Sequence, residues 1–171
     1  MLILSWILFV GVCIEAGGSI FSAFYTLVIN PVNAADFWVG NDLSGLYKYD
    51  PGYFLVVALL TGIASVMKAF IFYFTTKILQ GKNLDLSQPF SKEVRAFINK
   101  LTFLAFATGL FTSWGARYTE WLVRQGVKMP DTQHLRLGGG DVWLFMAVIL
   151  YIIAQIFKRG IEIQTENDLT I

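Results

Sequence analysis

Four long apolar runs dominate the sequence and leave few architectures open to it. They cover residues 2–29, 53–79, 96–122 and 141–157. A bilayer core about 30 Å thick takes roughly 20 apolar helical residues to cross, and each run reaches that length or comes near it. Only 15% of the 171 residues are charged, 56% are hydrophobic and the mean hydropathy is +0.59. A soluble domain of this size carries about a quarter charged residues. The predicted fold is therefore all-α. It is a single membrane domain over 1–171, a polytopic four-transmembrane-helix bundle in contact with the lipid bilayer.

The breaks between the runs carry ordinary punctuation. The first run ends before Asn30-Pro31, where a proline stops the helix. It has no basic n-region, and Glu15 lies inside it, so a cleaved signal peptide is not expected. The second opens after the turn signal Asp50-Pro51-Gly52 and closes at Gln80-Gly81, with Gly81 suited to a C-cap. Pro89 suits a helical first turn, and Phe90, Val94, Phe97 and Leu101 recur at three- to four-residue spacing. A short cytoplasmic interfacial helix before the third span is predicted from them. The fourth run follows Gly138-Gly139-Gly140, which reads as a flexible hinge, and Asp141 is placed as its N-cap.

Lys and Arg in short loops set orientation. Seven of them, Lys77, Lys82, Lys92, Arg95, Lys100, Lys158 and Arg159, fall on the side shared by both termini. Lys48, Arg124, Lys128 and Arg136 fall on the other, joined by Arg117 if it snorkels outward. The bias places both termini and the tail 158–171 in the cytoplasm. Trp38, Tyr47, Tyr49 and Tyr53, with Trp114, Tyr118, Trp121 and Trp143, read as an aromatic belt on the outer side.

Composition also removes whole classes of function. A net charge of +1 with no basic cluster does not suit direct nucleic-acid binding. Cys13 is the single cysteine and His134 the single histidine, so neither an internal disulfide nor a His/Cys metal cluster can be assembled. The sequence holds no nucleophile elbow, HExxH, Walker loop or GxGxxG. No enzymatic activity, cofactor or metal is expected.

Glu15 and Lys68 are the charges deepest in the predicted spans. Glu15 lies 13 residues in from Leu2 and Lys68 lies 11 back from Leu79, so at 1.5 Å per residue their depths differ by about 3 Å. An unpaired charge at the bilayer centre costs at least about 2.5 kcal/mol, and an intramembrane Glu15/Lys68 ion pair is the expected remedy. Such a pair fixes helix register. It also suits a proton-coupled or ligand-binding site. In the third span Thr102, Thr108, Gly109, Thr112 and Ser113 suit close helix packing.

Two segments carry a resemblance. Gln88-Pro89-Phe90-Ser91-Lys92-Glu93 and the closing stretch from Phe157-Lys158-Arg159-Gly160 to Glu166-Asn167-Asp168-Leu169-Thr170-Ile171 resemble DUF2975, a bacterial family of four-span membrane proteins of unknown function. Members tend to be encoded beside a small helix-turn-helix regulator. The resemblance implies a protein of the bacterial cytoplasmic membrane acting as partner, sensor or antagonist of such a regulator. Glu162, Glu166, Asn167 and Asp168 are the candidate partner-binding residues in the tail. Two alternatives stand beside this one. One is a small transporter or export subunit with Glu15 and Lys68 in its path, which would require a homodimer. The other is a structural membrane subunit.

Overall fold

The computed structural model describes residues 2–80 and 90–168, with the side chains of Leu2 and Asp168 left aside. Four helices carry the spans: α1 (Leu2–Val28), α3 (Pro51–Gln80), α4 (Lys92–Arg124) and α5 (Gly140–Asp168). Between α1 and α3 lie a 3-10 helix, Pro31–Asp36, and a short helix α2, Ser44–Tyr49. No strand occurs among the described residues.

The starts of these elements follow from local chemistry. Asn30 Oδ1 accepts from the backbone N–H of Val32 at 3.1 Å and opens the 3-10 helix at Pro31. Asp50 Oδ1 accepts from the N–H groups of Gly52 at 2.6 Å and Tyr53 at 3.2 Å, so it caps α3, whose first residue Pro51 has no N–H to satisfy. Ser91 Oγ caps α4 by accepting from Val94 N–H at 3.2 Å. The helix then runs unbroken from Lys92, so residues 92–95 belong to the third span's own helix rather than to a separate interfacial one. Pro89 and Gly81, on which two expectations rested, lie outside the described residues.

Neighbouring helices are antiparallel, and side-chain pairs fix their register. Phe9 meets Tyr73 at 6.0 Å between ring centroids, and Tyr53 meets Tyr118 at 6.3 Å. Lys100 Nζ sits 5.4 Å from the Phe74 ring, and Phe90 meets Phe157 at 5.4 Å. The start of α1 and the end of α5 consequently share one end, here the terminal end. The bundle is a row rather than a closed square: α1 packs on α3, α3 on α4 and α4 on α5, and among the described residues α1 packs on neither α4 nor α5. In the most apolar window 44% of α3 is buried within the protein, against 11% for α1 and 17% for α5. The two edge helices therefore meet lipid over most of their surface.

Several hydroxyls in the row bond within their own helices, as a solvent without hydrogen bonds favours, while the buried Thr61 Oγ1 and Thr112 Oγ1 have no partner among the described residues. Thr108 Oγ1 donates to Leu104 O at 2.7 Å and Thr119 Oγ1 to Gly115 O at 2.9 Å. Gly109 lets Leu144 of α5 approach so closely that a Cβ there would lie 2.7 Å from its Cγ. Small and hydroxylated residues of the third span thus serve packing, as expected.

The hydrophobic core is concentrated at the other end, the cap end. Phe37, Leu43 and Leu46 from the first connection meet Phe54 and Val57 of α3, Leu122 of α4, and Val127, Leu135 and Leu137 of the last connection. Phe54 stands edge-on to Phe37 at 5.6 Å and to Tyr47 at 5.4 Å. Trp38 leaves the expected aromatic belt and lies over Gly18 of α1, where any Cβ would overlap its ring.

Candidate functional site

The connection from α4 to α5 does not cross directly between helix ends. Gly126, at φ +84, ends α4: its N–H reaches Val123 O at 2.9 Å, and Val127 N–H reaches Leu122 O at 3.2 Å. This is the Schellman pattern, completed by burial of Val127 and Leu122 side by side in the core. The chain then descends along α4. A Cβ at Gly140, the first residue of α5, would overlap Ser113 Oγ and lie 2.9 Å from Ser113 N. Ser113 is 11 residues before the last residue of α4, so α5 begins about 16 Å below that end. Of the glycine triplet, Gly139 takes a left-handed φ of +74, and Gly140 is required by close packing rather than by flexibility. Asp141 falls inside the first turn of α5 rather than at its cap.

Irregular backbone carried toward membrane depth is tolerated where it is buried in protein or lines a watery cavity. Here a tight turn supplies its bonds, with Leu135 N–H to Asp131 O at 3.1 Å and Leu137 N–H to Thr132 O at 2.9 Å. Leu135 and Leu137 are both buried in the core. Arg136 between them is forced the other way, at a left-handed φ of 58. A non-glycine residue in that region costs about 1 kcal/mol or more and persists when its neighbours over-determine it. The two leucines do so.

Arg136 is the centre of the intramembrane charge cluster. Its Nε lies 3.0 Å from Glu15 Oε1, and its carbonyl oxygen accepts a hydrogen bond from Lys68 Nζ at 3.0 Å. Glu15 and Lys68 do come to one level across α1 and α3. The direct ion pair between them is replaced by a bridge: Glu15 takes the guanidinium and Lys68 the backbone of the same residue. Side-chain exposure is 28% for Glu15 and 62% for Arg136, so the pair lies at an open margin of the row. The sequence reading placed Arg136 among the outer basic residues. Its one signal in the sequence is the Leu135-Arg136-Leu137 alternation.

Above the cluster lies a pocket of about 350 Å³, lined by Arg136 with Trp38, Val39, Asn41, Gln133 and His134, and by Asp131. Asn41 Nδ2 donates to Trp38 O at 2.9 Å and to His134 O at 3.3 Å, tying the two cap segments together. Trp38 and Val39 are also left-handed, at φ 23 and 57, and strain of this kind gathers at ligand sites. Beside it Asp42 accepts from Ser44 Oγ at 2.6 Å and Ser44 N at 2.9 Å. These bonds, the hydroxyl's first, hold its carboxyl below the usual carboxylate range.

The tail residues fall on the last two turns of α5. Glu162 is engaged by its own helix, 3.3 Å from Arg159 Nη1 and 3.9 Å from Lys158 Nζ, so one acid of the expected acidic face is paired within α5. Asn167 lines an apolar groove of about 740 Å³ with Phe90, Ile156, Arg159, Gly160 and Ile163. Glu166 lies on the same helix beyond Ile163, and the Asp168 side chain lies outside the described part.

Four long apolar helices, unbroken and lipid-facing at the edges of a row, define a multi-pass α-helical membrane protein. The chain belongs to the DUF2975 family, whose description is a protein of unknown function and which matches residues 38–171. No curated protein and no solved structure matches it.

Proposed function

We propose that the protein is a regulatory component of the bacterial cytoplasmic membrane, without catalytic activity, that reports a condition outside the cell to a small helix-turn-helix regulator inside it. Both termini are cytoplasmic in this reading. One observation carries it: α5 starts four residues after Arg136, at the foot of the strained outer cap, and continues without a break to Asp168. A change in the cap that moves Arg136 is transmitted along a rigid rod to the groove beside Phe90. In that groove Ile163 is 58% exposed and lies past Lys158 and Arg159, which this reading takes as the headgroup layer. An apolar residue so placed calls for a protein partner, and Glu166, Asn167 and Asp168 would add polar contacts around it.

The test is to establish whether an adjacent gene encodes a helix-turn-helix protein and to measure the recovery of that protein with solubilised membranes. Ile163→Asp should abolish it while leaving membrane abundance unchanged, because Ile163 is largely exposed. Unchanged recovery would sink the docking site. A transporter or export subunit draws on the same charge cluster. It would show itself as uptake into vesicles lost on replacing Glu15 or Lys68.

A further inference from the structure

We infer that the Glu15, Arg136 and Lys68 cluster is an oxyanion site, which takes through the pocket above it a ligand bearing a single carboxylate or phosphate charge. Charge balance is the first argument. The charged groups in range of Lys68 are Glu15 and Arg136, so two cations share one carboxylate near the middle of α1 and α3. Intramembrane charges are paired or face water-filled cavities, and this set is one negative charge short.

Donor geometry is the second. Arg136 meets Glu15 through Nε at 3.0 Å, and a guanidinium carries further N–H donors on its terminal nitrogens. Lys68 spends one of its three donors on a carbonyl. The further donors of this guanidinium and of the ammonium bonded to the same residue's carbonyl match the acceptor-only surface of an oxyanion. The third argument is access. The pocket of about 350 Å³ touches Arg136 and adds the amide of Gln133 and the imidazole of His134. Its volume suits a small ligand. Asp131 lines the same pocket and disfavours a ligand with more than one negative charge. The inference goes beyond the regulatory reading and does not rest on it, since the tail takes no part.

The experiment uses the full chain in nanodiscs. One arm holds phosphatidylcholine alone and titrates sodium acetate or phosphate at ionic strength fixed with chloride. The other adds phosphatidylglycerol and no soluble oxyanion. A saturable rise of the unfolding midpoint, roughly 5 °C at about a hundred times Kd, is expected in one arm. A response to soluble ions identifies a ligand from the water, and a response to phosphatidylglycerol identifies a lipid headgroup. Lys68→Met removes the excess cation, so it should be at least as stable as the parent without oxyanion and should lose the response. Arg136→Gln should lose it as well. No rise in either arm, or a rise retained in Lys68→Met, would overturn the site.

Discussion

The two ends of the molecule are built on different principles. At the cap end Phe54, Leu43, Leu46, Leu122, Leu135 and Leu137 are fully enclosed by one another across three helices and two connections. At the terminal end Phe90 is laid across Gly160 of α5 and Ile163 is left open. Water drives apolar burial strongly, whereas lipid does not drive helix against helix. A compact core can therefore form where the connections meet water, and the row beneath needs only packing of small residues. The contrast assigns rigidity to one end and availability to the other.

The strongest way to break that contrast is to empty the cap core. Phe54→Ala should cost about 3–5 kcal/mol, read as unfolding in micelles of rising dodecyl sulfate fraction. Ile163→Ala should cost less than about 0.5 kcal/mol. Comparable losses would show that the ends are equally structural.

Next in size is the clasp between them. Arg136→Gln strands Glu15, and because the pair is part exposed the expected loss is about 1–3 kcal/mol. A double-mutant cycle should give a larger coupling for Glu15 with Arg136 than for Glu15 with Lys68. The reverse order would restore a direct pair between α1 and α3.

Two glycines sharpen the comparison further. At Gly140 an added Cβ meets the backbone of Ser113, which cannot yield, so Gly140→Ala should cost about 1–3 kcal/mol. At Gly160 it meets the ring of Phe90, a side chain 37% exposed. That ring can swing away, and the helical gain of Ala over Gly is about 1 kcal/mol. Gly160→Ala should be neutral or slightly stabilising, by the same unfolding assay.

The smallest effect is a pH dependence in the cap. Asp42 is held below its ordinary range by Ser44. A depressed folded value means that its contribution is complete above the unfolded carboxylate range and fades as pH falls from roughly 5. The stability gap between the parent and Asp42→Asn should be constant near neutrality and close in acid. A gap that widened in acid would reverse the sign.

Much of this architecture is legible in one sequence because lipid simplifies the rules. Four apolar runs give four helices, and the depths of Glu15 and Lys68, counted from the helix ends, do match in the folded row. What escaped was the descent of the last connection. Nothing in the sequence alone says that Gly140 starts α5 against Ser113 rather than level with Arg124, because that depends on how Leu135 and Leu137 find the cap core. Without the descent Arg136 reads as one more outer charge. The open row escaped for a similar reason: periodicity reports which face of a helix is apolar, but lipid and protein satisfy that face alike.

The clasp also has a consequence in time. Glu15 and Arg136 are 121 residues apart in the chain, and at roughly 5–20 residues per second of synthesis the second follows the first by about 6–24 s. During that interval α1 holds an acid in lipid without its final partner. Lys68, brought to the same level when α1 and α3 pair, arrives 53 residues after Glu15 and is the natural interim companion, displaced when the guanidinium descends. Cysteines at positions 15 and 68 should then cross-link more readily in chains halted before residue 136 than in finished ones; equal yields would remove the interim pair. Insertion of this protein would then be a relay between two cations for one carboxylate, with the final state decided by the last connection to leave the ribosome.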